Sequence, residues 1–375
     1  MVACLAMPLV KPFRALRYDA GTAGALDDLV SPPHDVLTPE LYARLLAASP
    51  FNAVRLVRPD DPEEAGRTLA DWRAQGVLVR EERPAVWLLE DEFAGADGSR
   101  RRRRGVVARV RLQPYEDGLV LPHELTFLRQ KDVRLRLLRA TRTKLSPVFL
   151  LHEGETPRPA GPPRLEVELE GVQSRLWPVE EPEEIDRVLE AVPGPLLVAD
   201  GHHRYETALR FHREEGSEET AYVLAALVST QDPGLEILPT HRLTTGVVPE
   251  LDGDLRLTEL GGADDALAAL RSVPPERGAF VLVRAGGATL AEADGPGPDT
   301  AVVDRLPLEH VSFTASAAEA ARAVSEGEAT AAFLVRPPTV GDVEAVARAG
   351  GRMPPKSTYF YPKLTSGLLF APFDE

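Results

Sequence analysis

Along most of the 375-residue chain, short apolar runs bounded by turn residues alternate with segments of helical period. The sharpest junction is at residues 196–199, an apolar run that meets Asp200 and Gly201. After it, Tyr205, Ala208, Leu209 and His212 recur at i, i+3, i+4 and i+7. This pattern predicts a buried strand, a turn, and a helix that begins near His202 or His203 with one face on a sheet. Upstream, Thr38-Pro39-Glu40 reads as a capped helix start, residues 51–57 as a strand and 62–75 as a helix. Residues 85–90 and 105–112 read as paired strands around the turn Gly95 to Gly98, with Arg101 to Arg104 as a solvated hairpin arm. A basic helix over 131–141, a strand over 146–151, a helix over 183–191 and a strand over 221–228 complete the first part.

Residues 247–350 change character, being rich in Ala, Gly, Asp and Glu, with a hairpin at 279–293 and a strand and helix over 331–349. The expected organisation is a core over 1–246, a scaffolding α+β module over 247–350 and a C-terminal strap over 351–375, kept extended by its prolines and returning to the core.

Composition narrows the function classes. A formal net charge of −15 argues against a protein that grips nucleic acid over a broad surface. No run approaches the ~18 uninterrupted apolar residues of a membrane span. The first residues lack the basic region and cleavage pattern of a secretory signal, and Cys4 is the single cysteine, so no disulfide framework or cysteine-based metal site forms. The expectation is a cytoplasmic protein with a small-molecule ligand, no membrane and no nucleic-acid partner.

The chemistry concentrates at the predicted turn. Gly201 permits a sharp bend or a close approach, and the first amides of the following helix lack intrahelical partners. Arg204 adds a fork of donors, and His202 and His203 add two imidazoles. Together they read as a site for phosphate or carboxylate; the plainer reading is an Asp200 cap with solvated histidines and an arginine paired locally. Other candidates are His34-Asp35 on a proline-stiffened loop, His123-Glu124, and the cations Lys131, Arg134, Arg139 and Arg142 of the basic helix. The strap contributes Lys356 and Lys363, and His241-Arg242 lies at a strand end. His123-Glu124 lacks a second histidine four residues on, so it is no zinc-protease motif.

Lys11-Pro12-Phe13-Arg14, Pro32-Pro33-His34-Asp35-Val36, Asn52-Ala53-Val54-Arg55-Leu56, Pro122-His123-Glu124, Leu137-Leu138-Arg139-Ala140-Thr141, Ala199-Asp200-Gly201-His202-His203-Arg204-Tyr205-Glu206-Thr207-Ala208 and Lys356 to Lys363 together resemble the prokaryotic family catalogued as domain of unknown function 1015. More distantly, the Asp200 to Glu206 turn is similar to the signature of the ParB/sulfiredoxin-like superfamily, which includes an archaeal free-serine kinase. That resemblance implies an α+β fold with a ParB/sulfiredoxin-like mixed-sheet core and a smaller α+β module. It also implies that Gly201, His202, His203 and Arg204 hold nucleotide phosphates. His202 stands where the sulfiredoxin pattern has cysteine, which excludes that redox chemistry. No helix-turn-helix reader accompanies the turn, which counts against a partition protein.

The resulting expectation is a phosphoryl-transfer enzyme acting on a small hydroxy metabolite such as free serine, with ATP or ADP and Mg²⁺. Lys131, Arg139, Lys356 and Lys363 would complete the phosphate contacts. Glu124, Asp35 and Asp200 are the candidate carboxylates, with His123 beside Glu124. The alternatives are a phosphatase on a phosphometabolite such as phosphoserine, a metal-dependent hydrolase with Asp200, His202 and His123 as ligands, and a non-enzymatic nucleotide-binding module.

Overall fold

A computed structural model describes residues 9–126, 128–251, 254–295 and 298–374. Two compact units divide the chain, one formed by the described residues of Met1–Pro122, Thr126–Glu236 and Pro362–Glu375, the other by His123–Leu125 and Ile237–Tyr361. The expected module at 247–350 lies within the second. The class is α+β, as expected from the resemblance stated above.

In the first unit the described residues form a nine-stranded mixed sheet. Its strands are β1 (Val10–Lys11), β2 (Val86–Ala94), β3 (Arg100–Arg111), β4 (Val120–Leu121), β5 (Val148–His152), β6 (Leu165–Leu169), β7 (Val172–Val179), β8 (Leu196–Asp200) and β9 (Tyr222–Ser229). The order is β4-β8-β5-β9-β3-β2-β7-β6, with β1 added beside β3. The β4–β8 and β5–β9 pairs are parallel and the others antiparallel. Around the sheet lie α1 (Pro39–Ala48), α2 (Pro62–Ala74), α3 (Leu128–Thr141), α4 (Pro182–Glu190) and α5 (His202–Glu215). One sheet face carries Val86, Leu88, Val106, Ala108, Leu150, Leu196 and Val198, and buries Ile185 and Val188 of α4 with Tyr205, Ala208 and Leu209 of α5. At ~25 cal/mol per Å² of apolar surface, this continuous cluster is the main source of the unit's stability.

Helix α5 carries a second buried face. Phe211 packs with Leu135 and Leu138 of α3 and with Phe373, its ring stacked 5.4 Å from that of Phe373. The helix is therefore held on two sides, which a single apolar stripe does not reveal.

The second unit has a six-stranded sheet among its described residues, built from β10 (His241–Thr244), β11 (Leu255–Leu260), β12 (Ala279–Arg284), β13 (Gly287–Ala293), β14 (Val311–Thr314) and β15 (Ala331–Leu334), in the order β11-β13-β12-β15-β10-β14. Helices α6 (Ala263–Ser272), α7 (Ala317–Ser325) and α8 (Val340–Arg348) accompany it. Its buried polar pairs are closed. Arg242 holds Asp304 through Nε and Nη2 at 3.2 and 3.1 Å, and Nδ1 of His241 accepts the Val335 amide. The polar pair His241-Arg242 thus serves the sheet.

Two expectations are corrected. Residues 51–57 are not a strand, since Val54–Val57 is a short helix. Buried Asn52 causes this: its Oδ1 accepts the Val54 amide at 2.9 Å, while its Nδ2 donates to the Asp28 and Val30 carbonyls. Its amide thus caps the turn that the apolar run disguises. Nor are Arg101 to Arg104 a solvated arm. They belong to β3, with Arg102, Arg103 and Arg104 paired against Glu92, Asp91 and Glu90 of β2 and Arg101 opposite Phe93, and Arg103 is fully buried with its Nη2 donating to Asp91 at 2.7 Å.

Candidate functional site

The turn after β8 is built by two backbone devices. The pairing of β8 with β5 shifts register between Val198 and Asp200, so one extra residue turns the strand end and Asp200 leaves the core-facing row of Leu196 and Val198. Gly201 then takes a left-handed conformation, with φ 91° and ψ 25°, as the cap of α5. A Cβ there would stand 3.0 Å from the Arg204 side chain, which folds back over the glycine. The residue is thus required twice, for its φ and for the guanidinium lying on it.

Asp200 joins two cations. Its Oδ2 accepts from Arg204 Nη2 and its Oδ1 from Lys363 Nζ, both at 2.5 Å. Arg204 Nη1 donates to the Pro147 carbonyl, so the fork bridges β8 to the start of β5. Burial works to raise the Asp200 carboxyl, but Lys363 and Arg204 hold it below the usual carboxylate range, against the opposing charge of Asp35.

A second pair faces this one. His34 and Asp35 begin a short turn of helix after Pro32-Pro33, which fixes the entering chain as extended. Asp35 Oδ1 lies 3.5 Å from His34 Nδ1. Nη2 of Arg134, on α3, approaches the His34 ring nitrogens at 2.9 and 2.8 Å. A ring protonated on Nδ1 toward Asp35 accepts from Arg134 at Nε2, and the approach of Arg134 to Nδ1 is then no hydrogen bond. Burial, reinforced by Arg134 and Arg204, lowers the His34 pKa, so the imidazole is neutral at pH 7. For Asp35, burial is opposed by the bond from His34 and by the charges of Lys363 and Arg204, which keep it ionised well below the ordinary range. Its side chain stays 27% exposed at the mouth of the cluster. Burial and the charge of Arg204 push Arg134 down to about 10, still cationic at neutral pH. The first unit thus gathers three cations, Arg134, Arg204 and Lys363, against two carboxylates at the N-terminus of a 14-residue helix.

Arg139 lies on the exposed face of α3 and pairs with Glu214 at 2.5 Å. Glu214 is at the far end of α5 from Gly201, so Arg139 takes no part in the Arg204 cluster. Lys131 lies in α3, and its side chain falls outside the described residues. His123, Glu124 and Lys356 belong to the second unit. There His123 Nε2 meets Thr358 Oγ1 at 2.9 Å, and Glu124 Oε1 accepts the amide of Lys356, whose φ is +60°. Glu124 therefore holds a left-handed backbone turn. His202 is buried and His203 half-buried on the first turn of α5. Among the described residues no group of three His, Cys, Asp or Glu is placed to hold a metal, and both Asp200 oxygens are taken by cations.

Two cluster members, Arg134 and His34, are candidates by sequence to which no catalytic or phosphate-binding role is assigned there. A signal for Arg134 exists. It occupies the first position of the stripe Arg134, Leu137, Leu138, Thr141, at i, i+3, i+4 and i+7, so it is the charged residue on the inward side of an otherwise solvated basic helix.

The family comparison matches residues 10–308, most of the chain. The chain belongs to the family described as "Protein of unknown function (DUF1015)". The match takes in every cluster residue of this DUF1015 protein except Lys363. No curated protein matches the sequence. Among solved structures, free serine kinase in complex with AMP is 15% identical with a TM-score of 0.39, over 68% of this chain and 86% of that one. A mutant of free serine kinase in complex with ADP is 14% identical with a TM-score of 0.39, over 68% and 87%. A conserved hypothetical protein from Pyrococcus furiosus is 15% identical with a TM-score of 0.38, over 69% and 92%. Among the described residues of the DUF1015 chain, no helix is long and apolar enough to cross a membrane.

Proposed function

We propose that the Arg204 cluster is the phosphate site of a phosphoryl-transfer enzyme that moves a phosphoryl group between a nucleotide and a small hydroxy metabolite. The observation that carries this reading is the excess of fixed cations at a helix N-terminus, next to Asp35, a carboxylate whose side chain stays 27% exposed. Phosphoryl transfer asks a protein mainly to position reactants and to stabilise spread negative charge. In this reading Arg204, Lys363 and Arg134, with the first amides of α5, take the phosphate oxygens. Asp200 holds Arg204 and Lys363 in place before the ligand arrives, which reduces the ordering cost of binding. Asp35 accepts the proton of the attacking hydroxyl, and His34 fixes its orientation.

The nucleotide donor comes from the ParB/sulfiredoxin-like resemblance. Mg²⁺ fits Asp35, a partly exposed carboxylate of the kind that holds this ion jointly with substrate phosphates, where the ion would neutralise phosphate charge. The test is a panel of small hydroxy compounds incubated with ATP and Mg²⁺, with ADP and phosphorylated product both quantified. Product with stoichiometric ADP from the native chain, absent from Asp35→Asn, supports the reading. Phosphate release from phosphometabolites without nucleotide would reverse the direction to hydrolysis. No turnover and no nucleotide binding would refute the site.

A further inference from the structure

Within the first unit, three segments that carry members of the cluster meet at one buried serine of the strap. Ser366 is 1% exposed. Its amide donates to the Ser31 carbonyl at 2.8 Å, its carbonyl accepts the Ser31 amide at 3.0 Å, and its Oγ lies 2.7 Å from Ser146 Oγ. Ser31 is itself fully buried, and its Oγ donates to the Pro32 carbonyl at 2.8 Å. Pro32 and Pro33 fix φ over the next two residues, so the path from Ser31 to His34 and Asp35 is stiff. Ser146 precedes Pro147, whose carbonyl accepts from Arg204, and with Arg134 and Arg204 it lines a cavity of about 80 Å³ beside the cluster. Lys363 donates to Asp200 from the same stretch of strap, separated from Ser366 by buried Leu364 and half-buried Thr365. The stretch is closed at both ends. The Pro362 carbonyl accepts from Arg103 Nη1 at 2.8 Å, and Gly367 turns the chain at φ 98°, where a Cβ would stand 2.8 Å from the Ala53 Cβ. A lysine stem is flexible, and an ammonium placed before a ligand arrives meets it with a smaller ordering cost.

We propose that Ser366 is the positioning residue of Lys363. Its hydrogen bonds set the ammonium against Asp200, and they fix its distance from Arg204 through Ser146 and Pro147, and from Asp35 through Ser31. Ser366 acts through Lys363 and not by contact with a ligand. Where the cluster binds nucleotide, the result is a phosphate contact in place before binding. That consequence rests on the phosphate reading; the positioning of Lys363 does not.

Competitive acetylation of the full chain with acetic anhydride, read by mass spectrometry on the peptides of Lys363 and Lys11, tests the positioning directly. The Lys363 side chain is 9% exposed, so its rate reports how firmly the strap is held. Lys11 lies on β1, outside the strap, with its amine 3.8 Å from the Tyr222 ring centroid, and reports any general loosening. Ser366→Ala should raise the Lys363 rate about fivefold or more and leave the Lys11 rate unchanged. Ser146→Ala removes the other half of the same hydrogen bond from a half-buried position and should act alike, so it serves where Ser366→Ala does not fold. In ADP titrations, Ser366→Ala should weaken binding about fivefold, but by less than about twofold once Lys363→Met is present. An unchanged Lys363 rate in the serine variants, an equal rise at Lys11, or an ADP effect that persists in the Lys363→Met background overturns the proposal. A raised Lys363 rate in a chain that binds no ADP removes the phosphate site alone and leaves the positioning in place.

Discussion

On the hairpin of β2 and β3, Arg100, Arg102, Arg103 and Arg104 lie against Glu90, Asp91 and Glu92, Arg101 pairs with Asp97 and Glu236, and Arg175 of β7 with Glu166 of β6 closes the row. At the end of β8, Arg134, Arg204 and Lys363 stand around Asp200 and Asp35. Both regions are dense in charge, and the first is by far the more conspicuous in sequence. The hairpin matches its arginines with carboxylates across the strands, so its field closes on itself. The β8 cluster keeps an excess of cations, a carboxylate open to solvent, and a cavity at its side. Charge density is thus a poor guide to a site. Unbalanced charge beside empty space is the better one.

The strongest way to break the comparison is to disrupt the balanced region. Arg103→Met leaves Asp91 buried without its cation and should cost about 3–5 kcal/mol in denaturant unfolding, while ADP affinity per folded molecule stays within a few-fold, since the Pro362 carbonyl next to Lys363 loses only its Arg103 donor. Loss of ADP affinity without loss of stability would show that the hairpin is the site. Asp35→Asn should behave oppositely, with turnover down about 100-fold or more and ADP affinity within a few-fold, read from steady-state kinetics and calorimetry. Lys363→Met removes one of the two cations on Asp200 and should weaken ADP by roughly 1.5–3 kcal/mol, the range for a charged hydrogen bond.

Acid distinguishes scaffold from cluster. Burial lowers His152 and His241 to about 4 in the folded chain, while an unfolded histidine titrates near ~6.5. Their contribution to stability is present above ~6.5 and is lost as pH falls toward 4, about 1–2 kcal/mol per histidine at pH 5. Asp35 and Asp200 are held below the usual range and keep their charge there. A melting-temperature series from pH 7 to 5 should therefore decline, and His152→Gln or His241→Gln should flatten it. The smallest effect is expected for Arg139→Ala, an exposed pair with Glu214, which should stay within about 0.5 kcal/mol in stability and leave ADP binding intact.

Much of this was legible in the sequence. The period of residues 196–212 located the strand, the turn and the helix, because burial on one sheet face imposes that spacing. Glycine before a basic helix start located the sharp bend, which the structure makes as a left-handed cap. Asn52 defeated the strand reading because a side-chain cap bonds locally and leaves no periodic trace. Arg103 defeated the solvation reading because its partner Asp91 arrives by strand pairing. The cluster itself joins His34, Arg134, Asp200 and Lys363, whose proximity depends on chain reversals that no local pattern records. Arg139 and Arg134 are alike in composition, and only the helical period that aligns Arg134 with Leu137 and Leu138 separates them.

The central claim is that the Arg204 cluster binds nucleotide phosphate. Titration of ADP into the native chain and into Arg204→Ala, with Arg139→Ala as the matched control, tests it most directly. The expected result is ADP binding by the native and Arg139→Ala proteins and an affinity lower by about 30-fold or more in Arg204→Ala, some 2 kcal/mol. Equal ADP affinity in Arg204→Ala and native protein would contradict the account.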